Sequence, residues 1–194
     1  INYLERYGID EIVINVHHFS NQIIEYCKSL SNSVQIQISD ETNQLLDTGG
    51  GLKKAMKYFK NNDEPIVILN ADILCDLNLE NMLRTHVAEG NLVTMAVRDR
   101  ESSRKLIINP DMQLSGWKNI LTGEVRQVKA FHSFDKMFAF SGIHIVSPDL
   151  IEFFPELNAF SIIDFYLQLA FKQKVGAYLH KQGYWFDVGT VDKL

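Results

Sequence analysis

The run Ile66-Val67-Ile68-Leu69 constrains this chain more than any other stretch. Its residues are apolar and mostly β-branched, so it has no polar face to offer solvent. Such a run fits a strand covered on both sides, as in the middle of a parallel sheet. It ends at Asn70-Ala71-Asp72, where polar groups emerge. In open α/β sheets, ligands sit outside the carboxyl ends of the strands. Asp72 is therefore a carboxylate placed where a metal ion or a substrate can meet the sheet. The alternative is a turn aspartate bonded to its own backbone, and this stretch alone leaves both open.

The flanking pattern supports a sheet. Ile1, Leu4 and Tyr7 lie at helical spacing before Gly8, which suits the end of a helix. A strand is expected over 11–16, a helix opened by Ser20 as its N-cap, and an alternating strand over 34–38. A helix over 52–59, the central strand, a helix over 79–88 and a strand over 92–97 follow. This alternation argues for an α/β fold with a mixed, mainly parallel sheet covered by helices on both faces. The second half reads as a hairpin, 105–109 and 113–117, turning at Pro110-Asp111, then strands over 124–130 and 137–146. Helices over 148–154 and 162–172 and strands over 175–180 and 184–186 complete it. No repeat or linker interrupts the chain, so a single domain over 1–194 is expected.

Composition enters as exclusion. A net charge of -5 without a block of Lys or Arg argues against a nucleic-acid groove. No apolar run reaches membrane-spanning length. Cys27 and Cys75 lie far apart and show no metal spacing, which points to a reducing cytoplasm. The chain enters a helical pattern at Ile1 without Met, so the natural N-terminus is expected upstream.

Three constellations carry chemistry. Thr48-Gly49-Gly50-Gly51 precedes the helix expected at Leu52. Glycines there let a ligand approach backbone N–H groups at a helix N-terminus; the alternative is a flexible connector. Asp187, in GYWFDVGT, is a second strand-end acid, or else a turn carboxylate. Should Asp72 and Asp187 face each other, they form a hard-oxygen site suited to Mg²⁺, which takes one or two carboxylates plus substrate phosphates. His17 and His18 point opposite ways on an extended segment and make a poor joint metal site. Ser141-Gly142 lacks the pattern of a nucleophile elbow, and Trp117 and Trp185 are expected in the core.

Taken in order, EIVINVHHF, LLDTGGGLKKA, IVILNADILCD, FAFSGIHIVSPDL and GYWFDVGTVDKL resemble the sugar-1-phosphate nucleotidyltransferases. The nearest branch looks like mannose-1-phosphate guanylyltransferases and N-acetylmuramate-1-phosphate uridylyltransferases. The resemblance implies a Rossmann-like nucleotidyltransferase fold related to the GT-A glycosyltransferases, with a nucleotide-binding half over 1–100 and a sugar-binding half over 101–194. It implies that an NTP, GTP or UTP, reacts with a sugar 1-phosphate to give NDP-sugar and pyrophosphate. Asp72 and Asp187 match the family's Mg²⁺-binding, catalytic acids. Thr48, Gly49 and Gly50 match the loop passing the nucleoside, joined by Asn70 and by Ala71, which stands where many members have Gly. Ser141 and Gly142 match the strand approaching the sugar. The family's G-x-G-T-R loop is absent from the chain, so this stretch by itself is expected to be inactive. The E-K-P sugar element is not evident, and neither Lys118 nor Lys129 is assigned in its place. Two rivals are a non-catalytic nucleotide- or sugar-binding domain and a GT-A glycosyltransferase; the latter normally carries D-x-D, whereas Ile73, Leu74 and Cys75 separate Asp72 from Asp76.

Overall fold

The computed structural model describes residues 1–30, 34–59 and 63–190. The last four residues of the GYWFDVGTVDKL stretch lie outside them. The chain divides into two compact units, one drawn from Ile1–Asn62 and Ile151–Phe165, the other from Asp63–Leu150 and Tyr166–Leu194.

In the first unit a short helix, α1 (Asn2–Glu5), leads through Gly8, at φ 75°, to β1 (Glu11–Val16). Helix α2 (Ser20–Ser29) follows, then β2 (Gln35–Asp40), which pairs parallel with β1. The βαβ order needs such a crossover helix. Helix α3 (Asp47–Ala55) continues into a 3₁₀ turn over Met56–Tyr58. The expected helix over 52–59 thus begins five residues early, and Gly49, Gly50 and Gly51 are inside it and buried. Glycine disfavours helix interiors by about 1 kcal/mol relative to Ala, so propensity alone hides this turn. The chain's own packing explains it. A Cβ at Gly50 would stand 2.0 Å from the Asn158 carbonyl oxygen, and one at Gly49 2.4 Å from the Phe160 ring. The Gly49 N–H donates to the Phe160 carbonyl over 2.9 Å, and Phe160 N–H to the Leu46 carbonyl over 3.2 Å. Phe154, Phe160 and Phe165 pack on one another behind that contact.

The second unit opens with β3 (Ile66–Leu69), which among the described residues pairs only with the antiparallel strand over 136–146 and is buried only at Ile66. It lies at the sheet's edge, so the expected central place in a parallel sheet with cover on both faces is not found. A short β4 (Ile73–Cys75), not expected from the sequence, follows. Helix α4 (Leu79–Glu89) is capped by the Asn78 side chain, which accepts from Asn81 N–H over 2.8 Å, and ends at Gly90 with φ 59°. Strands β5 (Val93–Arg98), β6 (Arg104–Ile108), β7 (Leu114–Asn119), β8 (Val125–Gln127) and the long β9 (Lys136–Val146) follow. The stretch 148–154 is a 3₁₀ helix over Pro148–Phe153. Helix α5 (Ile162–Leu169), β10 (Val175–Leu179) and β11 (Trp185–Asp187) close the described chain.

The sheet is mixed, with the order β10-β5-β9-β6-β7-β8 and β3 alongside β9. The β10–β5 pairing is parallel, whereas β9 pairs antiparallel with β3, β5 and β6. Antiparallel ladders therefore weigh more in this unit than the helix–strand alternation suggested, because one long strand from the second half enters between strands of the first pattern. Val93, Met95, Ala96 and Val97 of β5 and Ile143, Ile145 and Val146 of β9 are fully buried, as is Met82 of α4. Unbroken burial along β5 is the signature of a strand covered on both faces. Among the described residues no helix is long and apolar enough to cross a membrane.

Candidate functional site

Strands β3, β5 and β10 end near the middle of β9, where Ser141 and Gly142 lie. The Asn70 N–H donates to the Gly142 carbonyl over 2.9 Å, and Ile73 N–H returns to the Asn70 carbonyl over 3.2 Å. That tight turn swings the chain from β3 into β4 and leaves Asp72 exposed at the bend. Gly142 has φ 74°, and a Cβ there would press on Ile73 and Asn70 at about 3 Å, so glycine is required for this turn to seat.

β4 pairs antiparallel with β11, placing Ile73 opposite Asp187 and Cys75 opposite Trp185. The Val188 N–H donates to the Asp72 carbonyl over 2.8 Å, extending the ribbon by one bond. The Asp187 carboxylate accepts from Gly189 N–H over 3.1 Å. Both acids turn toward the same point. A Cβ at Gly189 would lie 2.6 Å from Asp72 Oδ2 and 3.3 Å from Asp187 Oδ1. Two carboxylates, one exposed and one half-buried, so meet beside a residue without a side chain. Among the described residues no group of three or more His, Cys, Asp or Glu is placed to hold a metal ion. The donor set is a carboxylate pair, which matches Mg²⁺ with substrate and water oxygens completing its shell.

A basic cluster borders the pair. Arg100 lays its guanidinium 3.9 Å over the Trp185 ring centroid. It donates to the Phe140 carbonyl over 2.9 Å and to the Glu101 carbonyl over 3.1 Å. Burial pulls its pKa down, and the nearby Asp187 charge pushes it back up. Arg98 donates to the carbonyls of Gln182, at 3.4 Å, and Gly183, at 2.7 Å. Trp185, expected as plain core, is half-buried and donates its indole N–H to the Ser141 carbonyl over 2.9 Å. Neither arginine was singled out from sequence. The available signal was two charges, Arg98 and Arg100, straddling the end of an apolar strand.

Ser141 is fully buried, its hydroxyl 2.7 Å from His180 Nε2. The His180 pKa falls to about 4, chiefly through burial, with Arg98 and Arg100 adding to the drop and Asp76 opposing it. The Ser141 and Gly142 carbonyls accept from Trp185 and Asn70, so both residues are tied into the scaffold of the rim.

Thr48, Gly49 and Gly50 belong to the first unit. Thr48 is exposed, and its hydroxyl accepts from Ile162 N–H over 3.0 Å. Gly49 and Gly50 lie beneath Asn158 and Phe160, so the close approach that glycine permits here is made by the chain itself. Gly51 meets a separate cluster, where the Asn15 side chain donates to the buried Glu41 carboxylate over 2.6 Å.

The family model for nucleotidyl transferases matches residues 1–194. The chain is 28% identical, over 97% of its own length and 50% of the relative's, to a mannose-1-phosphate guanyltransferase of Pichia angusta. It is 25% identical to the D-glycero-alpha-D-manno-heptose 1-phosphate guanylyltransferase of Aneurinibacillus thermoaerophilus, over 98% of this chain and 77% of that one. It spans about half the length of the mannose-1-phosphate guanyltransferases it matches. The fold is also that of HddC from Yersinia pseudotuberculosis, at TM-score 0.74 and 22% identity, covering 98% of this chain and 78% of HddC. The crystal structure of HddC complexed with GMP-PN superposes at TM-score 0.75. A match over its whole length and a shared Rossmann-like nucleotidyltransferase fold place this chain in the nucleotidyl transferase family.

Proposed function

We propose that the protein joins a nucleoside triphosphate to a sugar 1-phosphate, releasing pyrophosphate and an NDP-sugar. GTP is the donor we favour over UTP, because the relatives named above are guanyltransferases and one structural neighbour was crystallised with GMP-PN. The convergence of Asp72 and Asp187 beside Gly189 carries the reading.

An oxygen of the sugar phosphate forms the new bond to the α-phosphorus, and the bond from that phosphorus to the β-phosphate oxygen breaks. Asp72 and Asp187 would hold Mg²⁺, which would supply Lewis-acid charge to the reaction when bound. The β4–β11 ribbon brings the two acids side by side before substrate arrives, which limits the reorganisation needed at the reacting centre. No protein base is required, since a sugar phosphate is already largely ionised near neutral pH. The chain's task is to position and to balance charge. Asn70 and Ala71 we assign to the nucleotide and Ser141-Gly142 to the sugar side, the latter through the backbone. For Thr48, Gly49 and Gly50 a nucleotide-binding role rests on the family motif. The free thiols of Cys27 and Cys75 support a reducing cytoplasm as the place of reaction.

Pyrophosphate release by the full protein, screened against GTP and UTP with a set of sugar 1-phosphates, tests this. Asp72→Asn and Asp187→Asn are each expected to lower turnover on the order of 100-fold or more, while the fold survives because neither acid is in the core. Release at the wild-type rate from both variants overturns the reading.

A further inference from the structure

β11 carries Asp187, yet it is three residues long and among the described residues pairs only with the equally short β4. A two-stranded ribbon of that size is marginal by itself. Something else must hold Asp187 at its distance from Asp72, and the structure provides it at the end of β5. Arg98 grips the carbonyls of Gln182 and Gly183, just ahead of β11. Arg100 covers the face of Trp185 at 3.9 Å while its terminal nitrogens are tied to Phe140 and Glu101. The edge of the same indole is fastened to Ser141. Trp185 and Asp187 are two apart on a strand and so point to one side of it. Clamping the indole therefore sets the direction of the carboxylate.

We propose that Arg98 and Arg100 are positioning residues for the metal-binding pair, acting by locking β11 through backbone carbonyls and the Trp185 ring. This rests on the reading of Asp72 and Asp187 as metal ligands. Planarity and a fork of donors make arginine the residue for such a site, and lysine cannot replace it. Partners that orient metal ligands typically contribute 10- to 100-fold to metal affinity.

The sign of the effect separates positioning from plain charge. As a mere cation, Arg100 opposes a bound metal ion, so Arg100→Ala would tighten metal binding and Arg100→Lys would leave it unchanged. As a positioning residue, both substitutions weaken it. Mn²⁺ titration of the full protein, with free ion followed by electron paramagnetic resonance, measures this directly, alongside the thermal unfolding midpoint. The expected result is roughly 10-fold weaker Mn²⁺ binding for Arg100→Lys, a similar loss for Arg100→Ala, a smaller one for Arg98→Lys, and a nearly unchanged midpoint for the lysine variants. Wild-type affinity in Arg100→Lys, or tighter binding in Arg100→Ala, overturns the proposal. If Arg100→Ala does not fold, the lysine variants decide. Asp187→Asn is the reference: if it binds Mn²⁺ like the wild type, the metal reading itself falls, whereas loss in Asp187→Asn with none in Arg100→Lys removes the positioning role alone.

Discussion

The carbonyl of Asp72 accepts a hydrogen bond from the N–H of Val188 over 2.8 Å. That one bond extends the β4–β11 ribbon to Asp72 itself and to Val188 beside Asp187, so the backbone brings two distant carboxylates together. The remaining room is set by Gly189, which has no side chain to intrude.

Gly189→Ala is therefore a probe of the site. Its Cβ would meet Asp72 Oδ2 at 2.6 Å, and one carboxylate must turn away. The expected outcome is at least roughly 10-fold weaker Mn²⁺ binding with the unfolding midpoint little changed, because Gly189 is exposed. Unchanged affinity in titrations of this variant would show that the two oxygens do not act on one ion.

The second prediction concerns pH. Burial lowers the pKa of His86 to about 4, of His144 to about 3 and, with help from Arg98 and Arg100, of His180 to about 4. All three rings belong to the second unit. Their folded values lie below the ordinary histidine value, so the unfolded chain binds more protons in between. Their contribution is fully present above pH 6.5 or so and drains away as pH falls toward 4, by roughly 1.4 kcal/mol per pH unit for each proton taken up. Denaturant midpoints across that window should fall with acid. His86→Gln should flatten the dependence by about one proton; an equal slope in that variant would contradict the assignment.

Gly50→Ala should be severe. In an ordinary helix interior this change stabilises by up to about 1 kcal/mol. Here the new methyl group would overlap the Asn158 backbone oxygen at 2.0 Å, and overpacking costs typically about 1–3 kcal/mol or more. Gly90→Ala, at φ 59° with open space around it, should cost only the strain of a left-handed residue, about 1 kcal/mol. Thermal unfolding that ranks the two in the opposite order would refute the packing account of the glycine run.

Tyr166→Phe tests the buried polar pair in the second unit. The Tyr166 hydroxyl lies 2.8 Å from His144 Nδ1, with both residues buried. Removing it strands a buried ring nitrogen, at a cost of about 1–3 kcal/mol. Chemical denaturation should register that loss without a change in Mn²⁺ affinity.

Local patterns specified much of this molecule. The β-branched run at Ile66–Leu69, the Asn78 cap and the Gly90 stop of α4 all express preferences that operate within a few residues. The helix–strand alternation was legible for the same reason, whereas the five ordered motifs were legible as a family resemblance and left open whether Asp72 and Asp187 meet. Tertiary structure decided what depends on distant neighbours. Helix α3 runs through three glycines because the 158–160 segment needs the missing side chains of Gly49 and Gly50, and the Asn15–Glu41 pair that of Gly51, demands no local propensity reveals. β4 exists only because β11 pairs with it, and Arg98 and Arg100 become a clamp only once Trp185 and the 182–183 carbonyls come within reach. Chemistry-bearing residue types are written in the chain, but their distances are set by hydrogen bonds and packing between segments that sequence order keeps apart.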